Sequence, residues 1–226
     1  ASSLGRQLTL VAAPVQVYRL TQSTLLVGLL GLAQFPALLV GSTVGGMLSD
    51  AWDRRRVLIA SQCALALISA GLALNASGDH QVVGFVFVLT VLQAFFFAID
   101  APARISVVPR LVSTALVPAA YALQILRSQL AKAIGPILAG IIIAYWSLDA
   151  AYWIDTGTFI IAIVALISMK PIPATWGGTP LGLRSIVEGL RYLKRKKAIQ
   201  GALLIDINAT VFGLPRALFP EMGLSM

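Results

Sequence analysis

Cysteine and histidine are nearly absent from this 226-residue chain, with Cys63 and His80 the one representative of each. A single thiol builds neither a disulfide framework nor a thiolate metal site, and a single imidazole assembles no metal cluster. Charge is scarce too, at 12% of residues, where a soluble domain carries ~25%. Acidic residues are the rarer sign, 9 Asp+Glu against 17 Lys+Arg. What fills the space is apolar: 58% of residues are hydrophobic and the mean hydropathy is +0.87. This composition excludes a disordered tail, a nucleic-acid-binding domain and an ordinary cytosolic enzyme, and it marks an integral membrane protein.

A bilayer core of ~30 Å is crossed by about 20 mostly apolar residues in a helix. Six runs fit: Ser2 to Tyr18, Leu25 to Leu48, Val57 to Leu74, Val82 to Ile99, Pro118 to Trp146 and Ala150 to Met169. A seventh, Ile199 to Phe219, follows a polar linker. The sequence predicts an all-α membrane protein with a six-helix bundle over 1–169, a linker over 170–197 and the start of a second bundle over 198–226. It reads as part of something longer, beginning without a methionine and stopping just past the seventh run. The first run does not read as a signal peptide, because Arg6 sits inside it and no basic leader precedes it.

Basic residues predict the orientation, since short cytoplasmic loops hold the Lys/Arg excess. One set of loops contains Arg54, Arg55, Arg56, Arg104, Arg110, Lys170, Arg184, Arg191, Lys194, Arg195, Lys196 and Lys197, and the opposite set contains Arg19 alone. The net charge of +8 is therefore a topology signal and not a nucleic-acid footprint. In the linker, Leu183, Ile186, Val187, Leu190 and Leu193 recur at helical spacing with bases on the other face, which predicts a basic amphipathic helix on the cytoplasmic membrane surface.

Glycine weakens a helix unless a neighbouring backbone comes close, and inside lipid that is the usual reason for small residues. Gly41 and Gly45 are four apart in the second run, and Ala131, Gly135 and Ala139 form a similar stripe in the fifth. These two runs fall three apart, which suggests two three-helix repeats within six spans.

The stretch Gly46 to Arg56 resembles the loop signature of the major facilitator superfamily, G-x-L-a-D-r-x-G-r-R/K-R/K, between its second and third helices. Gly46, Leu48, Asp50, Arg54, Arg55 and Arg56 match, while Ala51 replaces a base and Asp53 a glycine. The aspartate is similar to the branch that includes the enterobactin exporter. The stretch Ala131 to Gly140 is similar to the fifth-helix signature of the superfamily's antiporters, g-x-x-x-G-P-x-x-G-G, through Gly135, Pro136 and Gly140. The resemblance implies two six-helix halves that alternate between inward- and outward-open states, with the fifth helix bending at its signature. It also implies that helices one, two, four and five face a central cavity, which selects Arg6, Gln34, Gln93 and Lys132 as candidate substrate contacts.

Charge inside a membrane is costly, so an ionisable residue there is functional or paired. Lys132 is either a cavity charge or the partner of a carboxylate such as Asp155. Asp155, on a helix that is peripheral in such folds, reads as structural. Asp100 is expected to pair with Arg54 or Arg104 and not to carry a proton, which would leave the coupling acid outside this chain. Asp50 is expected to hold the cytoplasmic side closed. The resulting expectation is a secondary transporter of the bacterial inner membrane, monomeric at full length, that exports a siderophore or drug-like amphipathic molecule against protons. A lipid-handling transporter of the same superfamily and a channel or receptor subunit are the alternatives. No phosphate loop, zinc motif or catalytic set is present, so neither an enzyme nor a cofactor is expected.

Overall fold

A computed structural model describes residues 2–169 and residue 201. Six long helices appear among the described residues: α1 (Ser2–Thr21), α2 (Thr24–Ala51), α3 (Arg54–Ser77), α4 (Val83–Leu111), α5 (Val117–Tyr145) and α6 (Leu148–Ile167). A short 3-10 turn at Thr114–Leu116 leads into α5. The expected linker helix over 183–193 and the seventh run lie outside the described residues, apart from Gly201.

The helix starts follow from local chemistry. Ser23, Asp53 and Ser147 are N-caps whose side chains accept from Leu26, from Arg55 and Arg56, and from Ala150 respectively. Pro118 stands in the first turn of α5, where its missing N–H costs nothing. Five helices, α2 to α6, are long and apolar enough to cross a membrane. The sixth, α1, has the length at 20 residues, but Arg6, Gln7, Thr9 and Gln16 dilute its apolar character.

The fourth helix departs from expectation. The sequence closes it at Ile99 before Asp100 and Pro102, whereas α4 continues to Leu111 through both Pro102 and Pro109. A proline removes one backbone bond, and neighbouring helices can compensate for it in a membrane bundle. Here Ala103 and Val107 are buried against Val57 and Leu58 of α3, so tertiary packing overrides the local breaker. Likewise α3 starts at Arg54, with the three arginines inside its first turn.

Packing pairs the helices in a regular way. α2 lies on α4 and α5 on α1; α3 lies on α4 and α6 on α1; α3 and α6 lie on each other. Exchanging α1 with α4, α2 with α5 and α3 with α6 maps this set of pairs onto itself. The two trios run in opposite senses, the arrangement of an inverted repeat. The glycine stripes supply close approaches between helices. A Cβ on Gly45 would stand 2.5 Å from the Ile99 Cα, and one on Gly41 would strike the Phe95 carbonyl, so α2 meets the backbone of α4. A Cβ on Gly135 would likewise strike Gln7, so α5 meets α1. Gly28, Gly31 and Gly140 face open space instead.

Candidate transport cavity and its surroundings

Asp53 caps α3, and that cap sets the direction of the arginines that follow. Arg54 is buried, and its Nε donates to Ser106 Oγ on α4 at 2.9 Å. Arg55 donates to the last carbonyls of α6, Nε to Leu166 at 2.9 Å and Nη2 to Ile167 at 2.6 Å. Cations are favourable at a helix C-terminus, where carbonyls lack partners. Arg56 is exposed. Of the remaining signature residues, Gly46 is buried in α2, Leu48 packs beside the Val57 cluster, and the side chain of Asp50 lies outside the described residues. The signature thus ties the start of α3 to the ends of α4 and α6.

Asp100 sits nearby, buried, and its partner is Arg104 on its own helix. Arg104 Nε donates to Oδ2 at 2.9 Å and Nη2 to Oδ1 at 3.1 Å, while Gln62 of α3 donates to Oδ1 at 2.8 Å. The expectation of an arginine partner therefore resolves to Arg104.

Between these residues and the bundle centre lies a cavity of about 180 Å³. Four cations line it, Arg6, Arg104, Arg127 and Lys132, with Asp100 as the carboxylate among its lining residues. Gln7, Gln62, Gln124 and Ser128 add hydrogen-bonding groups. The Arg6 guanidinium carbon stands 3.3 Å from the centroid of the Phe97 ring, a cation–π contact worth about 0.5–2 kcal/mol. The wall has an excess of positive charge, and Arg6 covers a face of Phe97.

Of the four residues selected as cavity candidates, Arg6 and Lys132 are brought together there. Gln34 donates to the Leu30 carbonyl of its own helix at 3.1 Å. Gln93 is buried and its amide points at Asp155. α5 is one helix across Pro136, with Gly135 buried and Gly140 exposed.

Asp155, read from the sequence as structural, ties α6 to three other helices. Its side chain is fully buried where four helices meet. Oδ2 accepts from the Thr9 hydroxyl of α1 at 2.5 Å, the Ser69 hydroxyl of α3 at 2.7 Å and the Gln93 amide of α4 at 3.5 Å. Oδ1 has no hydrogen-bond partner and faces Gly5 of α1, where a Cβ would collide with it. Lys132 forms no ion pair with it among the described residues. The signal lay in a run of hydroxyls and amides on apolar helices, each unremarkable alone. A second polar knot ties the opposite end of the bundle. There the Gln16 amide donates to Asn75 and Gln81, both at 3.1 Å, and accepts from the Tyr152 hydroxyl at 2.9 Å.

The model of the family described as transmembrane secretion effector matches residues 1–219. Enterobactin exporter EntS of Shigella boydii serotype 4 is 27% identical over 213 residues, covering 94% of this chain and 51% of the relative. That of Citrobacter koseri is 27% identical over 215 residues, covering 95% and 52%. The chain thus spans about half the length of these curated relatives. Among solved structures, the peptide transporter POT in complex with sulfate superposes with a TM-score of 0.61 at 13% identity, covering 92% of this chain and 45% of that one. This last likeness is one of fold alone.

Proposed function

Because this chain belongs to the transmembrane secretion effector family of the major facilitator superfamily, we propose that the full-length protein is a secondary active exporter. The proton gradient drives it across the bacterial inner membrane, and its end carrying Arg54 to Arg56 faces the cytoplasm. Its cargo is a small amphipathic molecule with acidic and aromatic groups, of the siderophore class. The observation that carries the cargo class is the cavity, where Arg6, Arg104, Arg127 and Lys132 face one carboxylate, Asp100. Arg104 is held by Asp100 and Arg6 stands over Phe97, while Arg127 and Lys132 add further positive charge to attract an anion. The exporter relatives point the same way.

The test is transport of radiolabelled enterobactin by the full-length protein in proteoliposomes with an imposed pH gradient. Saturable, gradient-dependent accumulation is expected, abolished by a protonophore. Lys132→Gln should weaken it by about 10–150-fold, the loss for one charge-assisted hydrogen bond of ~1.5–3 kcal/mol. Accumulation that ignores the gradient, or a preference for a cationic dye over the acidic probe, would overturn the reading.

A further inference from the structure

The Asp155 cluster and the cavity are adjacent layers of the bundle. On each helix that contributes to the cluster, a residue about one turn away lines the cavity. Leu65 precedes Ser69 by four residues on α3, Phe97 follows Gln93 by four on α4, Phe159 follows Asp155 by four on α6, and Arg6 precedes Thr9 by three on α1. Four residues rise about 6 Å along a helix. The carboxyl therefore lies directly beneath a floor made of Leu65, Phe97, Phe159 and Arg6, in which Arg6 is the one polar side chain.

We propose that Asp155 is the carboxyl that binds and releases the coupling proton, reached from the cavity through the layer that Arg6 and Phe97 close. This rests on the proton-driven reading above. The proton adds to Oδ1 and leaves from it, and no other bond forms or breaks. In the arrangement described, Oδ1 has no hydrogen-bond partner, since the neighbouring Thr158 hydroxyl donates to the Asp155 carbonyl at 2.9 Å, and the side chain is sealed from water. An ionised carboxylate would place charge on an unsatisfied oxygen in the membrane interior, which is expensive, and protonation removes that charge. The Thr9 and Ser69 hydroxyls serve Oδ2 in either state.

The charged side chain in that floor is Arg6 of α1. From α3 and α4 the cluster receives Ser69 and Gln93, neither of them ionisable. Tyr152, one turn along α6, gives its hydroxyl to Gln16, and Lys132 of α5 lines the cavity beside Arg6. Arg6 rests on Phe97, so any rearrangement of α1 against α4 changes both the water access and the positive field at the carboxyl. Asp155 also bonds α6 to α1, α3 and α4 at once, so its protonation state biases how these helices pack. A group that differs between two packings is what couples a ligand to a conformational equilibrium.

The experiment uses the full-length protein in proteoliposomes, with enterobactin as probe, and compares gradient-driven accumulation with exchange at equal pH on both sides. Asp155→Asn keeps an acceptor for Thr9 and Ser69 but cannot titrate. It is expected to keep exchange, to make exchange independent of pH, and to lose gradient-driven accumulation by a factor in the usual range of coupling, about 5–150-fold. Infrared spectroscopy of the wild type should show a protonated-carboxyl stretch that titrates with pH and is missing from Asp155→Asn. Retained gradient-driven accumulation in Asp155→Asn overturns the proposal, and so does loss of exchange together with accumulation, which is the mark of a packing role. Should Asp155→Asn fail to fold, an Asp155→Glu protein whose titrating band is unmoved from the wild type's overturns it equally. If the wild type transports no enterobactin, the transport reading has failed on its own. The infrared titration then still decides whether Asp155 takes a proton.

Discussion

Gly45 and Gly28 occupy the same helix, α2, yet a methyl group would mean different things at each. At Gly45 it would press on the Ile99 Cα and on the Ile99 and Ala98 carbonyls, backbone atoms that cannot turn aside; at Gly28 it meets nothing within 4 Å. Gly45→Ala is therefore expected to lower stability by about 1–3 kcal/mol through overpacking. Gly28→Ala should be neutral or stabilising by up to ~1 kcal/mol, since alanine is the better helix former. Thermal unfolding of the two full-length variants in one detergent checks the contrast. Equal shifts would mean that α2 does not meet α4 through Gly45. Gly5 follows the same logic for a different reason, because the space it leaves is taken by the Asp155 carboxyl and the Thr158 hydroxyl.

Among the elements, the start of α3 carries more structure than its length suggests. Asp53 satisfies the amides of Arg55 and Arg56, and Arg55 then satisfies the carbonyls that end α6. One turn thus supplies caps to two helices. Arg55→Ala should free the last turn of α6, with faster amide exchange over 163–167 and a loss of about 1.5–3 kcal/mol, the scale for hydrogen bonds to a charged group. Arg55→Lys should recover part of this, since an ammonium reaches a carbonyl but lacks the fork of the guanidinium. Unchanged exchange in Arg55→Ala would mean that the end of α6 is held by something else. The extension of α4 beyond Ile99 depends on the same neighbourhood, through Arg54 to Ser106 and through Ala103 and Val107 packed on α3.

Across the whole molecule, polar ties concentrate at two ends and one middle layer. The arginine end joins α3, α4 and α6; the Asp155 layer joins α1, α3, α4 and α6; the Gln16 knot joins α1, α3 and α6 at the far end. α2 and α5 enter these networks little and meet their partners through glycine stripes instead. Their large apolar side chains are widely exposed, among them Leu32, Phe35, Leu123 and Ile137. The proposed orientation is open to labelling. Cysteine introduced at Ser77 in full-length, Cys63-free protein should react with an impermeant maleimide in intact cells, and one at Ala51 should not. The reverse pattern would invert the bundle and place the arginine end outside.

How much of this could be read from residues alone depended on the range of the interaction involved. Composition and the lengths of the apolar runs determined a membrane bundle, because transfer from water to lipid acts on each segment separately. The two glycine stripes hinted at a pair of three-helix repeats, since close packing leaves its marks within a few residues, and the loop signature carried the resemblance to a transporter family. Other features were settled only in three dimensions. Pro102 reads as a helix end until Val57 and Leu58 are seen to hold α4 beyond it. Asp155 reads as a structural residue with no named partner but Lys132, whereas α6 turns it toward Thr9, Ser69 and Gln93, residues 146, 86 and 62 positions away. A buried carboxyl is defined by the groups that surround it, and those come from helices whose mutual rotation no local pattern encodes; only the packed bundle decides which face of α6 meets the others.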